Sequence, residues 1–160
     1  MIARSNGNLR DINHFMKVYS YALTIGRLEK LDPQTLEILE VTALIHDIAV
    51  PLCRMKYGST AGNYQEAESE ALVKEFLGGL GLPEYIVGRA AYLAAHHHTY
   101  TGVDGADYRI LLEADFLVNA DEGNLSREAI EYAEKQFFRS ESGKRLLRLM
   151  FLRDAAENDA

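Results

Sequence analysis

The chain's three prolines each fall where one helical pattern stops or another starts, and that placement restricts the fold more than any other sequence feature. Pro33 follows Asp32 at the head of "DPQTLEILEVTALIHD", Pro51 closes "ALIHDIAVP", and Pro83 opens "PEYIVGRAAYLAAHHH". Proline is accepted in the first turn of a helix and excluded from its interior, so the stretches it separates read as distinct helices. In the first, "RDINHFMKVYSYALTIGRLEKL", Ile12, Phe15, Met16, Tyr19, Ala22 and Leu23 recur at helical spacing, with Asp11 as the expected N-cap. Asp32 and Pro33 give the second helix an N-cap and a first residue. The polar "CRMKYGSTAGN" reads as a long loop, and "YQEAESEALVKEFLGGLG" as a third helix stopped by Gly78, Gly79 and Gly81.

A fourth helix runs from Pro83 into the histidines, and "TGVDGAD" is a turn. In "YRILLEADFLVNADEG" the continuous apolar middle would suit a buried strand as well as a helix. The chain holds no second β-branched run to pair with it, which decides for a helix. "SREAIEYAEKQFF", with a capping-box start at Ser126, and the amphipathic "SESGKRLLRLMFL" complete the pattern. The expected fold is all-α: an irregular single-domain bundle of about seven helices over residues 1–160, with a core at about 10–122 and closing helices at about 126–152.

Composition bounds the function classes. At 160 residues, 48% hydrophobic and 26% charged, the chain is long enough for one well-filled core and too short for two. A net charge of −7 argues against nucleic-acid polymers and anionic membranes, and leaves room for a small phosphorylated ligand held by a few local cations or a metal. The single cysteine, Cys53, rules out an intramolecular disulfide and is expected to be a buried small residue. No apolar run approaches the roughly 20 residues of a membrane span, and "MIARSNGNLRD" lacks the apolar core of a signal peptide, so a cytoplasmic location is the expectation.

Several polar residues fall on otherwise apolar helix faces. His46 shares a face with Leu36, Leu39 and Ala43, and His14 with Val18, Tyr21 and Ile25. Asp115 follows Leu111 and Leu112 by one turn and precedes Val118 by another. A lone inward histidine is most often a core residue bonded to a carbonyl, but a lone buried carboxylate costs several kcal/mol unless a charge meets it. Asp47 adds a carboxylate at the negative end of a helix, a penalty of roughly 0.3–1 kcal/mol that a cation would remove. Two imidazoles and two carboxylates facing inward from different helices are a plausible donor set for a divalent cation.

The order His14, then His46-Asp47, then Asp115 resembles the signature of the HD-domain superfamily of metal-dependent phosphohydrolases. The resemblance covers roughly residues 10–122. More narrowly, "KYGSTAGNYQE" and "HHHTYTGVDGADYRILLEADFLVN" are similar to a branch of small bacterial HD proteins. It implies that His14, His46, Asp47 and Asp115 are the metal ligands. Two-metal members carry an extra histidine near the third helix. This chain has none between Asp47 and His96, so a single ion is expected, with Glu66 the group there that could bridge to a second.

"HHH", residues 96–98, stands where the family's later histidines stand, and His97 and His98 are the expected catalytic groups, with Asp47 as acceptor of the water's proton. Arg54 and Lys56, within about ten residues of Asp47, are the expected contacts to a substrate anion. "KYGSTAGN" lacks the ending of a nucleotide-binding P-loop and reads as a surface loop. The function implied is hydrolysis of a nucleotide or other small phosphate ester. The donor set suits manganese, iron, cobalt, nickel or zinc, and magnesium is compatible. A homo-oligomer is also compatible. The alternatives are a nucleotide-sensing metal-binding module without turnover and a diiron oxygenase of the HD type.

Overall fold

The computed structural model describes residues 1–153, which contain eight α-helices, one short 3-10 turn at Ile2–Ser5 and no β-strand. Asn8, not Asp11, caps α1 (Leu9–Leu28), its side-chain oxygen accepting from the backbone N–H groups of Arg10 and Asp11 at 3.1 and 3.3 Å. Asparagine caps as well as aspartate does, and the shift leaves Asp11 in the first turn, free to take an arginine. The second helix, α2 (Pro33–Ile45), starts as the sequence predicts, with Asp32 accepting from Gln34 N and Thr35 N at 3.1 and 3.0 Å.

The expected long loop is half helix. α3 (Val50–Tyr57) begins with Pro51 in its first turn and stops at Gly58, whose φ of +64° is the left-handed conformation of a C-cap. This is the helix that raises the count from about seven to eight. The remaining elements are α4 (Gly62–Gly78), α5 (Glu84–His96), α6 (Ala106–Glu122), α7 (Arg127–Gln136) and α8 (Glu141–Phe151). Ser126 caps α7 through Ala129 N at 3.3 Å, but the methyl side chain of Ala129 cannot return the bond, so only half of the expected capping box forms.

The centre of the bundle is α1, α2, α5 and α6; α4 lies along α5, α3 against α4, α8 against α6 and α1, and α7 against α8. α1 and α2 approach closely at Gly26, where a Cβ would come within 2.9 Å of Leu36 and 3.1 Å of Leu39. Cys53 is buried, as expected. Among the described residues no helix is long and apolar enough to cross a membrane.

α6 is the ambiguous apolar run, and its burial explains the ambiguity. Tyr108, Ile110, Leu111, Leu112, Ala114, Leu117 and Val118 are all buried, on every side of the helix. A helix sheathed all round has no polar stripe to show its period. It also buries three carboxylates, Asp107 in its first turn and Glu113 and Asp115 in its middle. Glu113 accepts from Arg139 N at 2.7 Å, from Ser140 N at 2.9 Å and from the Ser140 hydroxyl, while Glu29 accepts from Ser142 N at 2.8 Å. These carboxylates anchor the N-terminus of α8 to α6 and α1. Glu113→Ala removes an acceptor from three donors and is expected to cost about 2–4 kcal/mol of stability, read as a lower urea midpoint, while leaving metal content unchanged.

Candidate metal centre

Four side chains from separate parts of the sequence meet beside α6. His14 comes from the first half of α1, His46 is the C-cap residue of α2, Asp47 lies in the turn that follows, and Asp115 is in the middle of α6. His14 Nε2 is 3.1 Å from Asp115 Oδ1, 3.4 Å from His46 Nε2 and 3.5 Å from Asp47 Oδ2. His46 Nε2 is 3.6 Å from Asp115 Oδ1 and 3.7 Å from Asp47 Oδ2. Donors bound to one transition-metal ion at about 2.0–2.2 Å stand about 3–3.6 Å from one another; four of these five separations fall in that range, and the 3.7 Å between His46 and Asp47 lies just beyond it.

The opposite edges of the rings give a second test of fit. His46 Nδ1 lies 2.9 Å from the carbonyl of Ala43, which can only accept, so Nδ1 carries a proton and Nε2 is the nitrogen left to bind an ion. His97 Nδ1 donates in the same way to Ala94 O at 2.8 Å, and His14 Nδ1 donates to Glu122 Oε2 at 3.1 Å. A carbonyl or carboxylate behind the ring is the usual support of a metal-ligating histidine. Asp115 has comparable support, its Oδ2 accepting from Asn119 Nδ2 at 2.9 Å. Glu122 and Asn119 were not anticipated from the sequence, although they follow Asp115 at helical spacing and so share its face.

The structure changes the argument about Asp47. α2 ends at Ile45, and α3 begins three residues beyond Asp47, so the carboxylate lies between the negative end of one helix and the positive end of the next. The demand for a cation comes instead from the crowd of acceptors. Burial alone would raise the Asp47 and Asp115 carboxyls, but the imidazoles of His14, His46 and His97 hold both well below the usual carboxylate range. Burial would lower His14, yet Asp115, Asp47 and Glu122 outweigh it and raise the imidazole to about 9. The same carboxylates that would draw an ion thus favour a proton on His14.

Asp47 has two sides. Its Oδ2 faces His14 and His46, and its Oδ1 lies 3.4 Å from His97 Nε2. Asp47, His97 and His98 form a second group able to hold an ion, with donor atoms within 4.8 Å of one another. His97 is fully buried, and the Nε2 atoms of His97 and His98 are both buried without a hydrogen-bond partner among the described residues. Burial and the neighbouring His97 lower His98 to about 4, so it is a neutral imidazole at pH 7 and unsuited to give up a proton as an imidazolium. His96 turns away: its Nδ1 donates to Tyr92 O at 2.7 Å and its ring stacks on Tyr92.

The histidine run is held in place from outside the cluster. Tyr108 OH bridges His96 O and Thr99 O at 2.7 Å each. Arg89 on α5 donates to Asp104 and Asp107 at 2.8–3.0 Å, tying the loop after the histidines to the start of α6. None of these anchors was anticipated from the sequence.

A cavity of about 500 Å³ opens onto the cluster and is lined by His14, Asp47, Asp115, His98, Arg54 and Arg10, among others. Of the two cations expected to meet a substrate, only Arg54 lines it, forked onto Asp11 at 3.0 and 3.1 Å. Lys56 points elsewhere, its Nζ 2.6 Å from Glu68. The reason is the helix: two residues along α3 turn the chain by about 200°, so Arg54 and Lys56 face opposite ways. Arg10, exposed and without an ion pair among the described residues, takes the expected place of Lys56 on the cavity rim. Glu66 does not line the cavity. It accepts from Thr99 Oγ1 at 2.8 Å, while its neighbour Gln65 faces the cavity.

Compared with protein-family models, with curated proteins and with solved structures, the chain finds no match in any of the three.

Two predictions follow from the ring geometry. Loading a metal must displace the His14 proton, so calorimetry in buffers of different ionisation enthalpy should read at least one proton released per ion at pH 7.5. His14's share of that release should fade as pH rises past about 9, where the ring is already neutral. Glu122→Gln weakens the support behind His14 and should lower metal affinity about 10–100-fold in a chelator competition, with the fold intact.

Proposed function

We propose that this chain is a metal-dependent phosphohydrolase of the HD type, acting on a nucleotide or other small phosphate ester. The observation that carries this reading is the convergence of His14 Nε2, His46 Nε2 and the Asp47 and Asp115 carboxylates at 3.1–3.7 Å, with the other ring nitrogens already committed to acceptors. Those four residues would hold the ion, and two imidazoles with two carboxylates suit manganese, iron, cobalt, nickel or zinc. When bound, the ion supplies Lewis acidity toward a phosphoryl oxygen and toward water.

The rest of the site suits such a reaction. Four carboxylates line the cavity, Asp11, Asp47, Asp115 and Glu122, so a phosphate is repelled unless a cation is present. Arg10 and Arg54 on the rim are the groups that would hold its remaining oxygens. Asp47 Oδ1, with His97 Nε2 3.4 Å behind it, is the atom best placed to take a proton from the attacking water. His98, on the cavity wall, would orient substrate by hydrogen bonding or serve as a ligand.

One observation favours a second reading. Asp47 is shared between two groups of donors, which suits two ions and, with iron, the chemistry of an HD-type diiron oxygenase. Metal analysis with activity assays separates the readings. Purified protein should carry a divalent ion and release phosphate from nucleoside monophosphates, losing that activity on chelation and regaining it with added manganese. Asp47→Ala should abolish both metal content and turnover while the far-ultraviolet spectrum stays helical. Wild-type metal content in that variant, or turnover that survives chelation, would overturn the proposal. Two irons per chain with oxygen consumption and no phosphate release would establish the second reading.

A further inference from the structure

One buried acceptor in the cavity wall takes no part in the chemistry above. Gln65, near the start of α4, is 5% exposed and lines the cavity together with Thr60 and His98. Its Nε2 donates to Thr60 O at 2.9 Å, which fixes the orientation of the amide, because a carbonyl can only accept. Gln65 Oε1 is then left buried with no hydrogen-bond partner among the described residues. A buried acceptor without a partner is costly, and an apolar side chain of similar size would fill the space without that cost.

The same wall holds a second such atom. His98 Nε2 is also buried and unpartnered, and its ring lies against Gly62, where a Cβ would come within 2.7 Å of His98 Cγ. Gly62 and Gln65 are three residues apart on α4 and share one face, and the His98 imidazole and the Gln65 amide line the same cavity. Gln65 Oε1 can only accept, so it repels phosphate oxygens and calls for an O–H or N–H. With the His98 proton on Nε2, a hydroxyl satisfies both atoms, donating to Gln65 and accepting from His98, which an ammonium group, having no acceptor, does not.

We infer that Gln65 reads a hydroxyl on the esterified part of the substrate, so that this site selects phosphate esters of polyols and sugars, a ribonucleotide's ribose among them, over simple alkyl phosphates. The inference rests on the phosphohydrolase reading and narrows its substrate class.

The test compares glycerol 1-phosphate with propyl phosphate, the same carbon chain without hydroxyls, on manganese-loaded wild type, Gln65→Met and Gln65→Glu. Phosphate release gives kcat/KM, and calorimetry gives Kd for any compound that binds without turnover. Wild type should favour glycerol 1-phosphate by about 10–100-fold, since a site built around a substrate hydroxyl discriminates strongly against its absence. Gln65→Met should bring the ratio to within about threefold with metal content unchanged. Gln65→Glu, which keeps an acceptor, should retain the ratio while both constants fall through like-charge repulsion. Where Gln65→Met does not fold, Gln65→Asn carries the comparison, because it withdraws the same oxygen by one methylene.

Equal constants for the two compounds in wild type, or a ratio that survives loss of the acceptor, overturns the inference and leaves the hydrolase standing. Discrimination in binding without phosphate release overturns the hydrolase and leaves the hydroxyl subsite. Loss of metal from Gln65→Met makes Gln65 a ligand and overturns the inference. Binding of neither compound overturns both.

Discussion

Two of the carboxylates buried on the central helix α6 organise this molecule. Glu113 and Asp115 are two residues apart on α6, about 200° of turn, so they leave the helix on opposite sides. Each would cost several kcal/mol if it met only apolar neighbours. One side is satisfied by the N-terminus of α8, whose backbone N–H groups and Ser140 hydroxyl close on Glu113. The other is satisfied by His14 of α1, His46 at the end of α2 and Asn119 one turn along. The first arrangement closes the bundle; the second builds the candidate site.

The difference between the two sides is chemical. Around Glu113 the neighbours are donors, so the carboxylate is complete without help. Around Asp115 the neighbours are imidazoles whose other nitrogens already donate, and a second carboxylate, Asp47. That surplus of lone pairs must be balanced by protons or by a cation. The raised His14 has the same cause, the carboxylates of Asp115, Asp47 and Glu122 around its ring. Glu122 serves either state, since it holds His14 Nδ1 in both.

Much of the site was legible from helical spacing. His14, His46 and Asp115 sit at apolar-face positions of their helices, and a buried polar group on such a face asks for a partner whatever the fold. The histidine run was legible only as a run: three successive residues point in three directions, and the packing of α5 on α2 and α4 sets His97 beside His46 and Asp47 and His98 against Gly62, while His96 stacks on Tyr92. Lys56 and Glu66 were misplaced because chain proximity stood in for orientation. Once α3 and α4 are helices, one or two residues of offset send those side chains away from the cavity and bring Arg54 and Gln65 toward it.

Local interactions decide what a sequence can determine alone, and here they set the all-α class, most helix boundaries and the three inward-facing polar groups. The Asp32 cap, the placement of the prolines and the 3.6-residue period act within a few residues and need no tertiary partner. The tertiary structure alone decided that α3 exists, that α6 is enclosed on all sides, and that Arg10, Gln65, Asn119 and Glu122 join the site. Those outcomes depend on which helix faces which across the bundle. That is settled by filling the core and by finding partners for the buried carboxylates, interactions between residues more than a hundred positions apart in the chain.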